Sequence, residues 1–297
     1  MTTLAKETLD DYTTGDGYRC RYRRYPAVGA PRAEVVCLHG IQSHGGWYEY
    51  SCESLWRDGF AVSFLDRRGA GLNEAARGDA PGFRRLLDDV AEFLSSRHPV
   101  IPLSRHPVPA FLVGISWGAK LAVALQRRHP GLVDGLALLC PGFFPRVRPP
   151  LGQRLAILWG RLVSPRKLFP IPLNHPDLFT ATPRWQQFIR DDPLSLRQAT
   201  ARLLLESVRL DGYLRLVPRY VREPVLLLLA EKDRIIHNAP TRRYVARFAS
   251  QDRKVIQYAG AHHTLEFEPD PDLFLGDLKC WLGRIADGRG PGGTPAC

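Results

Sequence analysis

The sequence contains no apolar run long enough to cross a bilayer. Its longest, near Leu136–Cys140 and Val225–Ala230, have the length of a strand. The first residues, MTTLAKETLDD, carry acidic side chains and no apolar stretch, so they do not read as a secretory leader. Cysteine is sparse and scattered. Cys20, Cys37, Cys52, Cys140, Cys280 and Cys297 form no C-x-x-C pair that would suggest a metal or redox site. Several of them sit in apolar runs, as reduced core thiols do. No low-complexity linker divides the chain, and no nucleic-acid-binding motif or aromatic platform accompanies its basic residues. These absences leave a cytoplasmic protein with no transmembrane segment and no nucleic-acid partner as the expectation.

What is present is a chain of 297 residues, 44% of them hydrophobic, enough for one large core with an insertion. The formal charge of +11 is unevenly placed. Residues 143–222 hold fourteen Arg or Lys against five Asp or Glu, a net of +9. Such a segment solvates itself with arginine, and it also suits weak contact with an anionic lipid surface.

Apolar runs recur along the chain: AEVVCLHG (33–40), FAVSFLD (60–66), AFLVGI (110–115), GLALLC (135–140), PVLLLLA (224–230) and KVIQYA (254–259). Helical spacing separates several of them, most clearly over 82–96. Uniformly apolar strands alternating with helices predict a parallel sheet covered on both faces. YRCRYRRY (18–25) reads as a charged edge strand. Residues 143–222 break the alternation and predict an inserted helical cap, with helices over Leu151–Leu162, Pro183–Arg190 and Leu194–Arg209. The expected division is a core over 1–142 and 223–286, a cap over 143–222, and a disordered tail over 287–297.

Gly114-Ile115-Ser116-Trp117-Gly118 follows an apolar strand and precedes a helical pattern. A Gly-x-Ser-x-Gly motif in that setting is a strained strand-to-helix turn that lifts a serine hydroxyl clear of the sheet. Serine is a poor nucleophile unless a base lies within hydrogen-bond reach. The candidate base lies in the one histidine pair that follows a late strand, His262 and His263. The candidate acid is Asp233 in the loop after PVLLLLA, preferred over Glu231. An oxyanion needs two N–H donors, assigned to the amides of Trp117 and Ile41, with His39, Gly40, Gly114 and Gly118 as supports. This chemistry requires no metal or organic cofactor.

These motifs resemble those of the α/β-hydrolase superfamily, in its monoacylglycerol lipase and lysophospholipase-like (serine aminopeptidase-type) branch. HGIQSHGGWYEY (39–50) is similar to that branch's HGxxxHxxRY loop, with Trp47 where arginine is usual. DRRGAGLN (66–73) resembles its D-x-x-G-x-G-x-S turn, with Asn73 replacing serine. GAHHTLEFE (260–268) resembles G-x-x-H-x-x-x-x-E, which makes His263 the base and Glu268 structural. The resemblance implies the α/β-hydrolase fold and a serine esterase or lipase acting on a small-molecule or lipid ester through an acyl-enzyme. The alternatives are a proline iminopeptidase-like aminopeptidase, in which Glu206 or Asp211 would bind the free amine, a carbon–carbon hydrolase or perhydrolase, and a non-catalytic binding module.

Overall fold

A computed structural model describes residues 7–97 and 108–288. The expected tail from residue 289 onward and most of the proline-rich stretch after Arg97 lie outside the described residues.

Five strands carry the centre of the sheet: β3 (Glu34–Leu38), β4 (Ala61–Leu65), β5 (Ala110–Ile115), β6 (Gly135–Leu139) and β9 (Val225–Ala230). β5, β6 and β9 are buried at every position, because helices cover both faces and leave no polar side to the pleat. With β1 (Thr8–Thr13), β2 (Arg19–Tyr25) and β10 (Arg253–Tyr258) they form one sheet in the order β1-β2-β4-β3-β5-β6-β9-β10. The pairings β1–β2 and β2–β4 are antiparallel and the remainder parallel. The expected α/β architecture is therefore observed, with two corrections at its margins.

First, β2 is not an edge strand. β1, whose sequence TLDDYT escaped notice for its acidic residues, pairs along its full length and takes the edge. Arg23 is thereby buried, facing Glu7, Glu49 and Asp66 rather than water. Second, β10 is mostly exposed, as the other edge of the sheet permits.

Helices α1 (Glu49–Arg57), α2 (Phe83–Arg97), α3 (Trp117–Arg128), α7 (Asn238–Val245) and α8 (Asp272–Ala286) flank the sheet. Between β6 and β9 the chain leaves it to form α4 (Leu151–Val163), α5 (Pro183–Asp191), α6 (Ala201–Leu214) and a small antiparallel pair, β7 (Leu168–Pro170) with β8 (Gln198–Thr200). The helix expected over Leu194–Arg209 starts seven residues late. Thr200 caps it, its hydroxyl accepting from the Leu203 amide, and β8 occupies the residues before it. Upstream, the Asp192 carboxylate accepts the Leu194 amide and holds 192–194 in a turn. No helix among the described residues is long and apolar enough to cross a membrane.

Candidate active site

The six parallel strands β3, β4, β5, β6, β9 and β10 end at the same edge, and the loops leaving that edge carry the residues singled out from the sequence. Ser116 follows β5 with φ +52 and ψ −115, a region costly for a side chain with a β-carbon. The turn is held by Ser116 N–H donating to Leu139 O at 2.9 Å and by Gly142 N–H donating to Ser116 O at 2.8 Å. The flanking glycines are dictated by close approach. A β-carbon at Gly114 would lie 2.5 Å from Ala119 Cα, and one at Gly118 would lie 2.3 Å from Leu38 O.

The Ser116 hydroxyl lies 2.9 Å from His263 Nε2, and His263 Nδ1 lies 2.7 Å from Asp233 Oδ2. His263 and Asp233 are buried, while Ser116 keeps partial exposure. With Nδ1–H donated to the carboxylate, Nε2 is left as the acceptor facing the serine. Asp233 Oδ1 accepts the amides of Ile235 and Ile236, at 2.8 and 2.9 Å, which fixes the carboxylate. Glu231, the other acid weighed for this place, accepts the Gly260 amide at the surface. Glu268 accepts both the amide and the ring Nδ1–H of His262, pinning the loop that carries His263.

Gly40 packs against the serine: a β-carbon there would lie 3.4 Å from Ser116 Cβ. Among the described residues, neither the Ile41 nor the Trp117 amide donates to a protein acceptor. His39 accepts the Arg67 amide at Nε2 and donates Nδ1–H to Gly40 O at 2.7 Å. Burial, reinforced by the neighbouring Arg67 charge, holds its pKa well below the ordinary histidine value, so His39 is a neutral strut.

The sequence reading missed residues that brace this loop from the far side. Asp192 Oδ2 accepts His44 Nε2–H at 3.0 Å, Trp47 Nε1–H at 2.7 Å and the Ser195 hydroxyl at 2.8 Å. Leu196 N–H donates to Gln42 O. Trp47, the departure from the usual arginine, thus supplies a donor of its own. Asn73 likewise does the turn-holding work: its amide donates to the Asp66 and Arg67 carbonyls, and its Oδ1 accepts the Arg21 amide.

The insertion's aromatic residues nearest the site are packed, whereas Trp159 on α4 is exposed. Phe179 and Phe188 sit against Trp47, Trp185 stacks on Phe267, and Phe179 also meets the His263 ring edge-on. Glu206 accepts the Phe83 amide and pairs with Arg209, while Asp211 pairs with Lys120 at 2.6 Å. Glu206 is buried with both oxygens bonded, and Asp211 gives one oxygen to Lys120. Cys140, Asp233 and His263 present potential ligand atoms within 4.8 Å of one another, the only such trio among the described residues. The Asp233 and His263 atoms are committed to each other, and burial pushes the Cys140 thiol far above its ordinary pKa.

The family model described as "Serine aminopeptidase, S33" matches residues 29–270. The chain belongs to that family. It is 27% identical over 278 residues to a monoacylglycerol lipase of Mycolicibacterium smegmatis, covering 90% of this chain and 93% of that one. It is 25% identical over 286 residues to lysophospholipase L2 of Escherichia coli, covering 88% and 82%. The structure of a soluble variant of monoglyceride lipase from Saccharomyces cerevisiae, in complex with a substrate analog, superposes with a TM-score of 0.79. That match covers 96% of each chain at 20% identity and shares the fold. Family membership thus agrees with the α/β-hydrolase architecture, whose branch includes proteins named for lipid ester hydrolysis.

Proposed function

We propose that this protein is a serine hydrolase that cleaves carboxylic esters of lipids, of the monoacylglycerol or lysophospholipid kind, through an acyl-enzyme. The observation that carries the reading is the unbroken relay from Ser116 to His263 to Asp233 at a positive-φ turn. Ser116 Oγ attacks the ester carbonyl as His263 Nε2 takes its proton, and the oxyanion is received by the Ile41 and Trp117 amides. The imidazolium returns the proton to the departing alcohol. Water then repeats the sequence on the acyl-enzyme. Asp233 holds the imidazole tautomer throughout.

Ester rather than peptide cleavage is favoured by the commitment of Glu206 and Asp211 to internal partners, which leaves the amine of a peptide substrate unmet. A panel pairing monoacylglycerols and lysophospholipids with N-terminal aminoacyl anilides tests this. Turnover of the lipid esters at least about 100-fold faster than the anilides, some 2.7 kcal/mol, is the expected outcome. The reverse preference would restore the aminopeptidase.

Residues 143–222 act in this reading as a cap on a core formed by 1–142 and 223–286. Its helix α4 supports contact with a lipid surface. Leu151, Leu155, Leu158, Trp159, Leu162 and Val163 are 52% to 72% exposed, and Arg148, Arg154, Arg161 and Arg166 flank them. Apolar anchors with basic neighbours suit an anionic interface. Activity on anionic vesicles should then fall steeply with added salt while a short neutral ester is unaffected. Equal salt responses would remove the surface contact from the account.

A further inference from the structure

Arg67 is an anomaly. It lies at the edge of the site, 8% exposed, and no carboxylate among the described residues lies within ion-pair distance of its guanidinium. The adjacent Asp66 spends its oxygens on the amides of Gly45 and Leu72 and on Arg23. Burial lowers the Arg67 pKa to about 10, and its Nε has no partner. Asp66 offsets this charge only through space, and a buried cation with no direct ion-pair partner weakens a fold, so its presence calls for another reason.

Its remaining donors all serve one short segment. Nη1 donates to Gly40 O at 2.9 Å and Nη2 to Ile41 O at 2.6 Å. Gly40 O also accepts His39 Nδ1–H, so that carbonyl is held from two sides. The guanidinium carbon lies 5.0 Å from the centre of the Trp117 ring. No peptide among the described residues is cis, so the Ile41 N–H points opposite to the Gly40 carbonyl that Arg67 holds. One side chain therefore grips the peptide of one proposed oxyanion donor and packs on the residue that supplies the other.

We propose that Arg67 is a positioning residue for the oxyanion hole: it locks the Gly40–Ile41 peptide through its carbonyl, which fixes the direction of the Ile41 N–H on the opposite side. This rests on the proposed serine-hydrolase reading. A planar fork is suited to the task because two successive carbonyls must be held at once, which a lysine ammonium on a flexible stem does poorly.

The test compares wild type, Arg67→Met, Arg67→Lys and Ser116→Ala. Each is measured for kcat and KM on p-nitrophenyl butyrate, for thermal midpoint, and for affinity toward an alkyl trifluoromethyl ketone, whose serine adduct places an oxyanion in the hole. For Arg67→Met, kcat should fall about tenfold to 100-fold, less than on outright deletion of an oxyanion donor. KM should stay within about twofold, ketone affinity should fall in step with kcat/KM, and the thermal midpoint should hold or rise. Arg67→Lys, which keeps the charge, should still lose kcat. A turnover of either folded variant within about twofold of wild type, or ketone affinity unchanged while turnover falls, would overturn the proposal. Wild type that turns over ester and binds ketone, beside Ser116→Ala that does neither, shows in the same experiment that the underlying reading stands. Wild type that does neither removes that reading and this inference together.

Discussion

Helices α3 and α4 each follow the end of a sheet strand, and both are largely apolar with basic residues interspersed, yet they meet opposite fates. α3 starts at the nucleophile turn and is buried from Trp117 through Gln126, even at Lys120, whose ammonium reaches Asp211. α4 buries Ile157 and Gly160 against Phe169 and Ala201 and leaves most of its leucines in solvent. Apolar content alone therefore does not place a helix. The partner face does, and α3 has a sheet beneath it whereas α4 has only the small β7–β8 pair and α6. Near α3 each side chain has a fixed partner and little slack. Along α4 the chain supplies no partner for the outer face, which is where an external surface would belong.

Substitutions can sharpen that contrast. The largest effect is expected at the sheet edge feeding α3: Asp233→Asn preserves shape but loses the charge that orients His263, and kcat should fall about 10⁴-fold with the fold intact, as steady-state kinetics beside circular dichroism will report. Within α3, Leu125→Ala removes a fully buried side chain and should cost about 2–5 kcal/mol in denaturant unfolding. Leu158→Ala in α4 should change stability by less than about 0.5 kcal/mol in the same assay. Similar costs for the two would erase the distinction between the helices.

Two buried carboxylates make smaller, pH-dependent contributions of opposite sign. Glu266 is pushed up to about 7 by burial, against hydrogen bonds from Ser51 that pull it down. Because the folded protein holds that proton more tightly than the unfolded chain, stability should decline as pH rises from about 4.5 to 7, by at most about 3 kcal/mol. Thermal midpoints across that window should flatten in Glu266→Gln. Asp192 behaves oppositely. Burial alone would raise its pKa, but hydrogen bonds from His44, Trp47 and Ser195 outweigh it and hold the carboxyl below its ordinary range. Its contribution is present above about pH 4 and is lost as pH falls below that value. Asp192→Asn should cost about 1–3 kcal/mol at neutral pH and remove part of the acid sensitivity.

The same contrast explains what was legible in the sequence. Strands buried on both faces write themselves as continuous apolar runs, and the Gly-x-Ser-x-Gly pattern marks glycines forced by close backbone approach, Gly114 by Ala119 and Gly118 by Leu38. Both were readable, as were Ser116, Asp233 and His263, which the fold brings within hydrogen-bond reach of one another in sequence order Ser, Asp, His. The inserted segment was not. Its apolar spacing runs on across Thr200, so the cap that starts α6 was lost inside a longer apparent helix. β1 was hidden because an antiparallel edge strand needs only one apolar side, and Asp10 and Asp11 masked it. Locally Asp192 shows only its turn with Leu194 and Ser195; its partners His44 and Trp47 lie about 145 residues back, and those of Arg67 are backbone carbonyls, which sequence does not distinguish.

The account stands on an activated hydroxyl at Ser116, and labelling with a fluorophosphonate probe tests that most directly. Wild type should form a single adduct that peptide mapping assigns to Ser116, while Ser116→Ala and His263→Ala, both folded, should stay unlabelled. A folded wild type that does not react, or an adduct mapped to another residue, would contradict the account.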